Sequence, residues 1–251
     1  MKVLYTPTTK VRRIFHLSDI HIRAGNQESS RFDEYDKVIQ RLLTSIEKLL
    51  LYGKYVNGCV NNEISICVIT GDIFHHKLKV EPSGIDLFYK LLQGLSNMLP
   101  TIVIRGNHDI RQDQLLNTVD ANKNAPDLVQ SLLSQGLYNV HYFRESGFYR
   151  VGDTLFGLVD IIDALEKGST SGVSDNLCEF PNPLDLKTED GEDMMYSKRI
   201  ALFHGSIVQT MLPNGSRIGA RSTSQVSENN HGYALEWICG KDMDHYDAVL
   251  L

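Results

Sequence analysis

Three times in the first 110 residues a short apolar run breaks into a polar cluster. Ile14, Phe15 and Leu17 lead into Ser18-Asp19-Ile20-His21. Residues 64–69 lead into Thr70-Gly71-Asp72, and Thr101-Ile102-Val103-Ile104 leads into Arg105-Gly106-Asn107-His108-Asp109. Runs of this length, rich in β-favouring side chains and bounded by turn residues, predict buried strands. Between the first two, Tyr35, Val38, Ile39, Leu42, Leu43, Ile46, Leu49 and Leu50 recur at three- and four-residue steps. That spacing predicts an amphipathic helix over residues 31–52, of about six turns. A second helix is expected over 83–97, before Pro100. Strand, helix, strand, helix, strand is the pattern of a parallel sheet covered on both faces. Such sheets bind ligands at the carboxyl ends of their strands, and all three polar clusters fall there.

The second half is less regular. Residues 139–143, 148–151 and 154–159 are β-like pieces between turn residues, expected to be antiparallel. Residues 168–193 are rich in Ser, Gly, Pro and acid and are expected to form a long surface loop. Lys198 to Ser206 gives another apolar strand that ends in His204, and the final residues, through Val249, Leu250 and Leu251, predict one more.

The strand ends carry metal-ligand chemistry. In an extended chain Asp19 and His21 share a face, which sets a carboxylate beside an imidazole. An oxygen and a nitrogen donor together suit Mn, Fe or Zn better than Ca or Mg. Asp72 follows a glycine that permits close packing and is placed to bridge two cations, one oxygen to each. Asn107 offers a neutral carbonyl oxygen, His108 lies just beyond it, and His204 offers a further imidazole. Each residue alone has a bland alternative as a turn or capping residue. Four strand ends converging with ligand-type residues do not. His75 is a candidate substrate contact, with a solvent-exposed surface residue as the alternative; His76 is read in the same way. His16, His141, His231 and His245 have no ligand-like context.

Composition narrows the class. The chain has 251 residues, 42% hydrophobic and 22% charged, which suits a globular α/β protein. The four cysteines, Cys59, Cys67, Cys178 and Cys239, form no CxxC pair and suggest no disulfide framework, so a reducing intracellular compartment, cytoplasmic or nuclear, is expected. No signal peptide or membrane-spanning run is recognisable. The net charge of −6 argues against gripping long duplex DNA by charge alone. Two bound divalent ions would, however, return about four positive charges at a phosphate site.

The ordered series SDIH, TGD, RGNHD and FHGS, spanning residues 12–206, resembles the signature of the calcineurin-like metallophosphoesterase superfamily. FHLSDIHIR, GDIFHHK, EPSGIDLFYKLL, IVIRGNHD and ALFHGSI are most similar to the SbcD-type DNA-repair exonucleases. The resemblance implies a four-layer α-β-β-α fold, two mixed sheets sandwiched between helices, in one nuclease-type domain over 1–251. It implies two divalent metal ions, Mn²⁺ first, with Fe or Zn as alternatives. Asp19 and His21 would hold the first ion, Asp72 would bridge both, and Asn107 and His204 would hold the second. A metal-activated hydroxide would attack phosphorus while His108 donates a proton to the leaving alkoxide or steadies the transition state. DNA is the implied substrate, an SMC-like ATPase the implied partner, and a homodimer a further expectation; no membrane is implied. Arg111, with Lys77, Lys79 and Arg105, flanks the site and is a candidate contact for a phosphodiester backbone. The family's last motif, Gly-x-His-x-His or Gly-Asp-x-His, is expected where this chain reaches Asp247 to Leu251. The fold is therefore expected to be C-terminally incomplete, without that motif or a capping domain. Two alternatives stand beside the nuclease: a small-nucleotide phosphodiesterase or phosphatase, and a catalytically impaired interaction module such as the retromer subunit of this fold. Protein Ser/Thr phosphatases fit poorly, because Gly71-Asp72 is followed by Ile-Phe-His-His and Asn107-His108 by Asp109.

Overall fold

The computed structural model describes residues 1–23, 29–57, 62–75, 80–110, 127–134, 136–163, 180–187, 194–207, 237–238 and 245–251. These divide into two compact units, Thr6–Phe143 and Met1–Tyr5 with Arg144–Leu251.

The first unit is built on four parallel strands in the order β2-β3-β4-β5: β2 (Lys10–Leu17), β3 (Glu63–Thr70), β4 (Thr101–Ile104) and β5 (Val140–Tyr142). The register sets Phe15 opposite Cys67 and Cys67 opposite Thr101. Helices α1 (Ser29–Asn57) and α2 (Pro82–Met98) supply the crossovers. Proline fits the first turn of α2, where its missing N–H is not needed. The helix stops at Met98 because Pro100 disfavours a helical Leu99, which is extended. Its buried residues Leu87, Phe88, Leu91, Leu92 and Leu95 follow the helical period. They pack with Ile39 and Ile46 of α1 and with Cys67, Ile69 and Val103. Since Cys67 and Ile69 share one face by the strand period of two, both helices lie against that face. Ile66, Val68, Ile102 and Ile104 on the opposite face are also buried. Each fully buried Leu or Phe side chain contributes about 1.5–3 kcal/mol of transfer free energy. A short helix, α3 (Leu128–Leu133), is capped by Asp127, whose carboxylate accepts from the Gln130 N–H at 2.7 Å.

The second unit carries a mixed sheet, β1-β6-β7-β8-β11: β1 (Lys2–Leu4), β6 (Gly147–Val151), β7 (Thr154–Leu158), β8 (Lys198–Leu202) and β11 (Ala248–Leu250). A two-residue turn at Gly152-Asp153 makes β6 and β7 an antiparallel hairpin, and the other pairings are parallel. Ser206–Ile207 (β9) and Trp237–Ile238 (β10) pair separately. Val159, Phe180, Ala201 and Phe203 form one buried cluster of this unit, with Tyr246 packed edge-on to Phe180 at 5.7 Å.

The α/β class with two sheets and helices is as expected. The run expected at 64–72 ends as a strand at Thr70, and that expected at 198–206 ends at Leu202. The expectation of antiparallel strands over 139–159 is corrected. Only β6 and β7 pair that way, while β5 joins the first sheet parallel to β4, because the α3 crossover returns the chain in the same direction. Much of the loop expected over 168–193 lies outside the described residues. Among the described residues, no helix is long and apolar enough to cross a membrane.

Burial pushes the Cys67 thiol up to about 12. At pH 8 only about one thiol in ten thousand is then the reactive thiolate. Peptide mapping after iodoacetamide treatment should find Cys67 unmodified in the folded chain and fully modified in urea.

Candidate metal centre

The site lies just beyond β2, β3 and β4 of the first unit. Strand β2 ends at Leu17, so Asp19 and His21 do not share a face by strand alternation, which corrects that expectation. They converge because the chain turns left-handed at both, with φ of +53° at Asp19 and +48° at His21. Asp72 is left-handed too, at +51°. Side chains rarely adopt this conformation, and each instance costs on the order of 1–3 kcal/mol unless the surroundings enforce it. Here they do. The Asp19 N–H donates to the Gly71 carbonyl at 3.3 Å, the His21 N–H to Asp72 at 2.9 Å and the Ile22 N–H to Ile73 at 2.8 Å. A parallel bridge between Ile22 and Phe74 extends the zipper, and the Tyr35 hydroxyl of α1 donates to the His21 carbonyl at 2.6 Å.

The loop after β4 is pressed against the loop after β3. A Cβ on Gly71 would stand 2.5 Å from the Gly106 nitrogen, and one on Gly106 would stand 2.2 Å from Asp72 Oδ1. Glycine at 71 lets the two backbones approach, and glycine at 106 leaves room for the Asp72 carboxylate. The buried Asp109 carboxylate closes the junction, accepting from Gly106 N–H at 2.9 Å, Ile73 N–H at 3.0 Å and Phe74 N–H at 3.3 Å. Sequence reasoning left Asp109 without a role; its signal was an acid directly after a ligand-bearing turn.

Within this frame His21 Nε2 is 3.7 Å from Asp19 Oδ1 and 3.5 Å from Asp72 Oδ2. Two donors bound to one ion at about 2.1 Å stand roughly 3.0–3.4 Å apart, so small side-chain adjustments suffice. His21 Nδ1 is buried without a hydrogen-bond partner among the described residues. Asp72 is itself buried, and its Oδ1 accepts the His108 N–H at 2.9 Å, which leaves Oδ2 toward His21. Asp19 is largely exposed and takes a short hydrogen bond from Ser18. These donors fit a divalent cation: two carboxylates and an imidazole whose oxygen and nitrogen atoms lie within 4.8 Å of one another.

His108 is half-buried, with Nε2 3.9 Å from Asp72 Oδ2 and Nδ1 2.6 Å from the His75 carbonyl. The His75 ring stands 5.5 Å from His21 and 5.7 Å from His108. Thus Asp19, His21, Asp72 and His108 lie close together, with His75 beside them. Asn107 is half-buried in the same turn, between Gly106 and His108. His204 is buried two residues beyond β8 in the second unit. His16 bonds to Thr70 at 2.8 Å, and burial holds the His141 imidazole below its usual pKa. His76, Lys77, Lys79, Arg111 and His231 lie outside the described residues.

Arg105 corrects the expectation of a backbone-contacting cation. It is buried and paired at 3.2 Å with the fully buried Asp127, which also accepts from the Tyr142 hydroxyl at 2.8 Å. Its guanidinium ties β4 to the cap of α3 and to β5.

The sequence profile of the family described as calcineurin-like phosphoesterase matches residues 12–240. The chain belongs to that family. It is also similar to an uncharacterized protein of Acanthamoeba polyphaga mimivirus, 26% identical over 229 residues. That match covers 90% of this chain, and the chain spans only 14% of the relative's length. Metallophosphoesterases carry out metal-dependent phosphoester hydrolysis, typically with two ions, and the Asp19-His21-Asp72 cluster lies inside the matched residues.

Two substitutions separate site from scaffold. Gly106→Ala should push the Asp72 carboxylate aside and weaken Mn²⁺ binding at least tenfold by calorimetry, roughly the loss that follows when a ligand's support is removed. Arg105→Ala should instead leave the buried Asp127 carboxylate without its charge partner and lower the unfolding free energy in urea by about 3–5 kcal/mol. Unchanged stability would show that the Arg105–Asp127 pair does not hold the fold.

Proposed function

We propose that this chain is a metal-dependent phosphodiester hydrolase acting on DNA, of exonuclease or endonuclease type. The observation that carries the reading is the convergence of Asp19, His21 and Asp72 with a histidine held in one orientation by two bonds. Divalent ions bound there would place positive charge on the phosphate oxygens and acidify a water. Asp19, His21 and Asp72 supply the donors for one ion, with Mn²⁺ the first choice for a mixed oxygen and nitrogen set. Asn107 and His204 enter as ligands of a second ion on the strength of the sequence alone. His108 gives its Nδ1 proton to the His75 carbonyl, so proton exchange with the substrate takes place at Nε2. As the imidazolium it donates from Nε2 to the departing alkoxide; as the neutral ring it accepts there.

The diester assignment draws on the motif resemblance to SbcD-type nucleases and on what stands at positions 75 and 76. Protein phosphatases of this superfamily place an Asp-Arg pair there, whereas this chain has His75-His76.

Mn²⁺-dependent cleavage of single- and double-stranded DNA, measured beside bis(p-nitrophenyl) phosphate, tests the reading. Wild type should cleave both substrates, and His108→Ala should lose about 10²–10⁴-fold on each, the contribution of a general acid. Hydrolysis of the small diester alone would move the assignment to a small-molecule phosphodiesterase. Absence of hydrolysis on either substrate would overturn it.

A further inference from the structure

A second donor set overlaps the first. His21, His75 and His108 each offer a ring nitrogen, and the three lie within 4.8 Å of one another. The His21 and His108 rings meet edge to face at 4.9 Å, and His75 stands 5.5 Å from His21. All three are half-buried, which gives a small cation access while stripping part of its water. His108 has a feature that ligating histidines share: its Nδ1 donates to a backbone carbonyl, which fixes the ring and leaves the Nε2 lone pair for a cation. That carbonyl belongs to His75, so one hydrogen bond ties the His108 ring to the His75 backbone. His75 is positioned in turn by its own N–H, which donates to the Ile22 carbonyl at 3.3 Å.

The two sets differ in kind. Asp19, His21 and Asp72 combine two carboxylates with one imidazole, a harder set that accepts Mn²⁺. Three neutral imidazoles with an open fourth position suit Zn²⁺ or a similar late divalent ion and offer little to Mg²⁺ or Mn²⁺. A neutral imidazole has one ring lone pair, so His21 serves one set at a time. We propose that His21, His75 and His108 form a histidine-only Zn²⁺ site that excludes the ion of the carboxylate set and occupies His108 Nε2. Zinc bound there is inhibitory. The binding step needs only the three histidines; the exclusion and the inhibition rest on the hydrolase reading above.

Metal-stripped protein is titrated with Zn²⁺ against a chromogenic chelator and with Mn²⁺ followed by electron paramagnetic resonance. His75→Ala and His75→Gln should each weaken Zn²⁺ at least about tenfold and change Mn²⁺ less than about threefold, since Mn²⁺ does not use that ring. Asp19→Asn should do the reverse. One equivalent of Zn²⁺ should release bound Mn²⁺ from wild type. X-ray absorption of the Zn²⁺ form of the unmodified chain should count three imidazoles, a readout independent of how either His75 variant folds. A shell of one imidazole with carboxylate oxygens, or Zn²⁺ affinity that follows Asp19 and ignores His75, overturns the proposal. Wild type that binds no Mn²⁺ would sink the carboxylate reading instead, while the absorption count still decides the zinc site.

Discussion

Everything at this centre depends on how closely two loops approach, the one after β3 and the one after β4. Gly71 approaches the Gly106 backbone at a distance that no Cβ tolerates, and the Asp72 carboxylate lies where a Gly106 Cβ would stand. One oxygen of that carboxylate is committed to the His108 N–H, and the other is left toward His21. A carboxylate fixed in this way has little rotamer freedom left to lose when a cation arrives. Asp109 holds the junction from beneath, accepting three backbone N–H groups that would otherwise be buried without partners.

The left-handed backbone at Asp19, His21 and Asp72 follows from the same junction. Three non-glycine residues at positive φ within one cluster cost several kcal/mol on the order of 1–3 each. The inter-loop hydrogen bonds from Asp19, His21 and Ile22 to the β3 loop hold them in place, and Phe74 anchors that loop in the core against Phe88 at 5.3 Å. The α2 face that buries Phe88 therefore reaches the site through Phe74, with Ile22 and Ile73 in the same core. Strain of this kind persists only where the scaffold is rigid, and Leu87, Phe88, Leu91 and Leu92 are almost wholly buried.

What could be read in advance was whatever local pattern encodes. The apolar runs marked β2, β3, β4 and β8, the helical period marked α1 and α2, and the polar residues at the strand ends marked the centre. What could not be read depends on partners distant in sequence. Spacing alone placed Asp19 and His21 on one face of a strand, whereas the strand stops at Leu17 and backbone bonds to residues 71–73 bring the two together. Arg105 looked like a surface cation because Asp127, its partner, lies 22 residues on. The pairing of β5 with β4 depended on a crossover whose direction no periodicity in residues 139–143 records. Glycine was the most informative residue type, since Gly71 was read as a close-packing position and the structure shows the atoms it meets.

The histidines show why proximity alone does not assign a role. His16 is satisfied by Thr70, whereas His21, His75 and His108 each offer a ring nitrogen within 4.8 Å of the others, and His21 and His108 both face Asp72 Oδ2. An isolated histidine near Asp72 would be a ligand or an acid. Three of them, with His108 tied to the His75 carbonyl, form a softer donor set superimposed on a harder one. The sharing of His21 makes the two sets alternatives, and in the proposed scheme, where His108 Nε2 serves both hydrolysis and zinc binding, the choice of ion is linked to the availability of the proton donor. Selectivity at such a centre is decided by which ion is present at what concentration, because late divalent ions outcompete Mn²⁺ for nitrogen donors on intrinsic affinity. The two carboxylates counter that preference by favouring harder ions. In the proposed scheme Asp19 and His75 belong to competing donor sets that share His21, and the balance between them is the chemical variable that sets which metal the centre keeps.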